Sequence, residues 1–258
     1  MPPYLVGVSL KMYFSHARTV AWCSAVAELA RAHPAVRDGA VKLFVVPSYL
    51  SVPAAVDILR DVAAVGAQDL ATEDEGAFTG EVSGAELAEV GCRLVEVGHA
   101  ERRRLFGETD AVIRAKADAA LRNGLTPILC VGEAQRVEPD AAVRECVRQI
   151  DDALSTARSA GRDGAITVAY EPEWAIGAEA PAEPDYIRAV CGGLRRHLGS
   201  LSDFAGSRVI YGGSARPGML RAIADDVDGL FLGRFAHRVE ALGEILDEVL
   251  AVEAAGMR

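Results

Sequence analysis

Eight short apolar runs, each followed by a stretch with helical spacing, limit what this chain can fold into. The runs are Leu5–Leu10, Val41–Val46, Val62–Ala67, Cys92–Val97, Leu125–Val131, Ala165–Tyr170, Arg208–Tyr211 and Gly229–Leu232. They do not alternate strictly, which suits strands buried on both faces. Between them Trp22, Val26, Leu29 and Ala30 recur at helical spacing, and Pro34 is expected to close that element. Val143, Cys146, Val147, Ile150 and Leu154 repeat the pattern, as do Val239, Leu242, Leu246, Val249 and Leu250. A parallel neighbour needs a crossover connection, so this alternation predicts parallel pairing. Eight such units predict an α/β chain closed into a (β/α)8 barrel, with a doubly wound open sheet as the rival. No linker or low-complexity tract interrupts the pattern, so one domain is expected over residues 1–258.

Composition narrows the function classes. A length of 258 residues, half of them hydrophobic, can bury an ample core. The net charge of −10 argues against nucleic acid or an acidic membrane surface as a partner. A small anionic ligand stays compatible, because its site needs only a local positive field. No apolar run approaches the length of a membrane span, and the start is not that of a signal peptide. The five cysteines form no CxxC pair and no cluster with histidine. Neither a disulfide nor a metal site is expected, and a reducing cytoplasm fits best.

In a barrel of this kind the functional residues lie on the loops that follow the strands. Ser9, Lys11, Gln68, His99, Glu133, Glu171, Ser214 and Gly233 all fall there. Glu171 ends the sixth run, and Pro172, Trp174 and Gly177 come directly after it. A strand can hold such a carboxylate still while the loop folds over a ligand, which is the layout a general base requires. Taken alone, a salt-bridged strand-end acid is the commoner meaning. Lys11 lies between Leu10 and Met12, an odd setting for a free surface charge. Gly212, Gly213 and Ser214 end the seventh run, and Gly233 ends the eighth; glycines there let backbone N–H groups approach an oxyanion. The loop Gly76-Ala77-Phe78-Thr79-Gly80-Glu81 offers an apolar tip and suggests an interface.

The stretch Tyr170-Glu171-Pro172-Glu173-Trp174-Ala175-Ile176-Gly177 resembles the catalytic strand and lid of triosephosphate isomerase. So do the Gly76–Glu81 loop, Val97-Gly98-His99 with Glu101-Arg102-Arg103, Cys130-Val131-Gly132-Glu133, and Tyr211-Gly212-Gly213-Ser214, all in that family's order. The resemblance spans essentially the whole chain. It implies a TIM barrel and a cofactor-independent isomerase of small phosphorylated sugars. The reaction implied is the interconversion of dihydroxyacetone phosphate and glyceraldehyde 3-phosphate through an enediolate, as in glycolysis. By resemblance Glu171 is the base and His99 the neutral electrophile, with its charged form disfavoured by a helix N-terminus. Lys11 neutralises the phosphate and the enediolate and pairs with Glu101. Gly177, Gly212, Gly213, Ser214 and Gly233 bind phosphate. Pro172, Glu173, Trp174, Ala175 and Ile176 belong to a lid that reaches Ala180. Phe78 and Thr79 would plug into a second subunit, which implies a homodimer. Cys130 and Glu133 are expected to give packing and polar support.

Several positions depart from the family's pattern. Ser9 stands where the family usually has Asn, Ala100 follows the histidine in place of Ser, Arg234 replaces a second Gly, and Ala178-Glu179 replaces Thr-Gly. The first two changes remove volume near the reacting atoms and leave room for a larger substrate. Arg234 adds a cation beside the phosphate loops. Ser9-Leu10-Lys11-Met12 and Gly233-Arg234 look similar to a branch acting on tetrulose phosphates, so erythrulose phosphate in sugar-alcohol catabolism is the alternative substrate. Two further readings stay open. One is a phosphate-binding barrel of amino-acid biosynthesis, which Asp228–Arg234 would suit. The other is a non-catalytic phosphate-binding barrel.

Overall fold

A computed structural model describes residues 3–176 and 182–256. Eight parallel strands close into a barrel in chain order: β1 (Tyr4–Ser9), β2 (Val41–Val46), β3 (Ala63–Ala67), β4 (Leu94–Val97), β5 (Thr126–Val131), β6 (Thr167–Tyr170), β7 (Arg208–Tyr211) and β8 (Gly229–Leu232). The open sheet is therefore excluded. Helices run outside: α1 (His16–Ala32), α2 (Pro34–Arg37), α3 (Val52–Leu59), α4 (Gly84–Glu89), α5 (Ala100–Phe106), α6 (Asp110–Arg122), α7 (Pro139–Ser159), α8 (Pro184–Ser200), α9 (Met219–Ile223) and α10 (Val239–Ala254). Among the described residues no helix is long and apolar enough to cross a membrane.

Two apolar layers hold this arrangement. Outward strand residues such as Val6, Val8, Val95 and Val97 pack against the helices. Inward residues, among them Phe44, Val46, Ile128, Cys130, Ala169, Ile210 and Phe231, fill the barrel. The filling explains two glycines. A Cβ on Gly7 would lie 1.9 Å from the Phe44 ring, so the ring occupies the space that Gly7 leaves. A Cβ on Gly229 would meet the Leu5 carbonyl oxygen at 1.7 Å, where β1 and β8 close the cylinder.

The strands are shorter than several of the apolar runs. Cys92, Leu125 and Ile166 are buried but precede their strands. The Ile166 N–H donates to Ser207 Oγ at 3.0 Å rather than to a neighbouring strand. Burial alone made these residues look like strand. Pro34 does close α1, but it also opens α2, where its missing N–H leaves no bond unmade. The His33 Nδ1 accepts the Ala35 N–H at 3.2 Å and caps that turn.

Candidate active site

Lys11, His99, Glu101, Glu171 and Gly212 follow β1, β4, β6 and β7, and the fold brings them to one rim. Lys11 adopts a left-handed backbone, φ 45°, which is strained for a residue with a side chain. The Gln68 amide holds it, donating to the Lys11 carbonyl at 2.9 Å and to the Val46 carbonyl at 3.1 Å. So placed, Lys11 Nζ donates to Glu101 Oε1 at 2.7 Å. Burial draws the Lys11 pKa down, but Glu101, with Glu171 and Glu96 behind it, outweighs burial and holds it above the usual lysine range. Burial pushes Glu101 the other way, and Lys11 again prevails, keeping that carboxyl below the usual range. The amine is a cation and its partner an anion at neutral pH.

His99 is the N-cap of α5: its Nδ1 accepts the Glu101 N–H at 3.0 Å. An accepting Nδ1 leaves the single proton of a neutral ring on Nε2. That Nε2 lies 3.3 Å from Glu171 Oε2. Burial, then the nearby Lys11 charge, lowers the His99 pKa to about 4, so the ring is neutral at physiological pH. Glu171 is 6 % exposed, and burial, reinforced by Glu96, raises its pKa to about 8. An acid, a neutral imidazole and an amine thus face one another. This arrangement can exchange protons with a small carbonyl compound and steady the negative charge that results.

Glycines let the Glu171 carboxylate lie where it does. A Cβ on Gly212 would be 2.5 Å from Glu171 Oε1, and one on Gly132 would be 2.0 Å from the Glu171 carbonyl oxygen. Gln149 of α7 clamps Gly132 from behind, accepting its N–H at 3.1 Å and donating to its carbonyl at 3.0 Å. Glu133 anchors the segment after Glu171. Its carboxylate accepts from Trp174 Nε1 at 2.7 Å and from the hydroxyls of Tyr186 at 2.9 Å and Tyr170 at 3.1 Å. Its backbone carbonyl accepts the Glu173 N–H at 3.0 Å.

Beyond β7, Ser214 has φ 62°, and its hydroxyl donates to the Ala175 carbonyl at 3.0 Å, tying the phosphate-type loop to Pro172–Ile176. Gly213 sits between Pro172 Cδ and the Tyr211 hydroxyl, each 2.9 Å from a Cβ it lacks. Gly233 N-caps the turn Arg234–His237, and Arg234 is exposed. Gly177 and the end of the expected lid, Ala178 to Ala180, lie outside the described residues. Phe78 and Thr79 are exposed. Another cleft, of about 560 Å³, opens among Arg158, Arg162, Asp163 and Asp203. It holds none of the residues above. Among the described residues no group of three or more His, Cys, Asp or Glu is placed to hold a metal ion.

Sequence reasoning missed Gln149, Tyr186 and above all Glu96. Glu96 is 4 % exposed and accepts a bond from Ser9 Oγ at 3.3 Å. Its signal was present: a charged residue in the middle of Leu-Val-Glu-Val, the β4 strand.

A sequence profile described as triosephosphate isomerase matches residues 4–249. The chain is 48 % identical to the L-erythrulose-1-phosphate isomerase of Pectobacterium atrosepticum, over 96 % of each chain. It is 37 % identical to the protein of that name from Rhizobium rhizogenes, over 97 % of this chain and 96 % of the relative. It is 39 % identical to the triosephosphate isomerase of Mycobacteroides abscessus, over 98 % and 97 %. Barrel, rim cluster and whole-length similarity agree: the chain belongs to the triosephosphate isomerase family and is a sugar-phosphate isomerase.

Proposed function

We propose that this enzyme isomerises a four-carbon ketose phosphate, with Glu171 as the base, His99 as the electrophile and Lys11 as the charge-bearing partner. The observation that carries the chemistry is the 3.3 Å approach of His99 Nε2 to Glu171 Oε2 beside the Lys11–Glu101 pair. Ionised Glu171 takes a proton from the carbon next to the carbonyl. The electron pair moves to the carbonyl oxygen, which accepts a hydrogen bond from His99 Nε2–H. Lys11 stabilises the enediolate. His99 passes protons between the two oxygens, and Glu171 returns its proton to the neighbouring carbon. In a four-carbon chain both carbons are interior, so the product is again a ketose. Gly213 and Gly233 offer backbone N–H groups to the phosphate, Arg234 adds a cation, and the segment that begins at Pro172 covers the substrate. The Gly212 and Ser214 N–H groups are already bonded to the Tyr170 and Gly212 carbonyls, at 2.9 and 3.0 Å, and shape the loop instead.

The substrate reading is supported by the similarity to proteins named L-erythrulose-1-phosphate isomerase and by the small Ser9 and Ala100 side chains beside the reacting groups. Turnover of L-erythrulose 1-phosphate and dihydroxyacetone phosphate, measured side by side, tests it. A kcat/KM at least tenfold higher for the four-carbon compound is expected; a preference for the triose would overturn the substrate but not the mechanism.

A homodimer completes the proposal. Met12, Tyr13, Leu50, Phe78, Leu105 and Phe106 are exposed apolar residues on the segments after β1, β2, β3 and β4, which are successive around the barrel. So wide an apolar sector on one side suits a second copy. Sedimentation velocity should give twice the chain mass, and Phe78→Asp should shift it toward one. A monomeric wild type would refute the pairing. The five cysteines are free and buried, as suits a cytoplasmic enzyme.

A further inference from the structure

Close to the reacting groups, a carboxylate of β4 adjoins the apolar cluster that fills the barrel. Glu96 lies two residues after Leu94 on β4, so both point inward, and its partner in register is Ile128 of the inner cluster. A carboxylate among such neighbours is unfavourable unless something uses it. Its hydrogen bond from Ser9 Oγ, at 3.3 Å, is long and comes from a neutral donor. Its other oxygen lies 3.9 Å from His99 Nε2, beyond direct bonding. The carboxylate therefore sits below the imidazole that would meet the substrate carbonyl, with a small hydroxyl as its partner.

The direction of a bound substrate follows from the ring of strands. Phosphate held by the loops after β7 and β8 places the other end of the molecule toward β4, which lies across an eight-strand ring from β8. A triose ends at the distal carbon of the reacting pair itself. A four-carbon ketose phosphate carries one more hydroxymethyl group there, and its hydroxyl is a donor seeking an acceptor. We propose that Ser9 and Glu96 form the recognition site for that terminal hydroxyl, with the Glu96 carboxylate accepting its hydrogen bond and Ser9 leaving the space for its carbon. The assignment rests on the four-carbon reading of the substrate. It accounts for both the missing bulk at residue 9 and the charge at residue 96. A pocket built to bond a hydroxyl discriminates against the analogue that lacks it, because the buried acceptor is then left without its partner.

The test compares the ratio of kcat/KM for L-erythrulose 1-phosphate to that for dihydroxyacetone phosphate in wild type, Glu96→Gln, Glu96→Val and Ser9→Asn. Glu96→Gln keeps the shape and removes the charge, and should lower the ratio roughly 10- to 100-fold, the range of one charge-assisted hydrogen bond. Glu96→Val should lower it at least as far. Ser9→Asn, which refills the space, should lower it independently of the charge. Parallel losses on both substrates, or a ratio that does not move in any variant, would overturn the assignment. The wild-type ratio alone tests the substrate reading, whereas the change between variants tests the pair whichever compound wild type prefers. Should one Glu96 variant fail to fold, the other and Ser9→Asn still decide the question.

Discussion

Glu171→Gln lowers kcat by about 10² to 10⁴, the contribution of a positioned general base. The amide keeps the size of the carboxylate but cannot take a proton from carbon. Substrate affinity should change far less, because the proposed role places Glu171 at the reacting carbon and not at the phosphate. A steady-state assay checks this, and a kcat within threefold of wild type would remove Glu171 from the mechanism. The same variant has a stability signature of opposite sign to that of most acids. Burial and Glu96 raise the Glu171 pKa to about 8 in the folded protein, against about 4.5 unfolded. Between those values the native state holds a proton that the unfolded chain has released. Stability attributable to this group is therefore complete below about pH 4.5 and is lost as pH rises through 8. Relative to wild type, Glu171→Gln should gain Tm on going from pH 4 to pH 9. The wild-type kcat/KM should fall as pH drops through about 8, since the free enzyme needs Glu171 ionised.

Gly132→Ala should cost about 10² in kcat while leaving the barrel folded. The new methyl would lie 2.0 Å from the Glu171 carbonyl oxygen and 3.2 Å from Pro172 Cα. Both contacts are backbone, so neither can rotate away, and Gln149 keeps Gly132 from retreating. The end of β6 must shift, and a displacement of about 1 Å at a reacting group is enough for a loss of that size. Overpacking adds a destabilisation of about 1 to 3 kcal/mol. Activity near wild type, with an unchanged circular dichroism spectrum, would show that the carboxylate tolerates movement.

Much of this was legible because two signals are local. Apolar runs separated by helical periods predicted the eight strands and their parallel order, and chemistry-bearing residues clustered after them. Lys11, His99 and Glu171 were nameable from motif order, and their approach to one another follows once the cylinder closes. The exact strand ends were not legible, since Cys92, Leu125 and Ile166 are apolar for the sake of burial alone. Gln149 and Tyr186 lie on α7 and α8 and bond across the fold to Gly132 and Glu133. Nothing local distinguishes either from an ordinary helix residue. Glu96 is different: its inward direction could have been read from the alternation of β4. Its meaning required Ser9, 87 positions earlier in the chain, to be seen opposite it.

Lys11, His99 and Glu101 come from the first four strands, and Glu171 with its Gly212 neighbour from the last four. On the proposed roles each half-cylinder alone carries an incomplete set: one has the cation and the imidazole with no base, the other a base with nothing to polarise the carbonyl. Two copies of either half, joined as a symmetric ring, would duplicate what is present and still lack what is missing. Enolisation on this scaffold therefore demands that the two halves differ in sequence, however alike they are in shape.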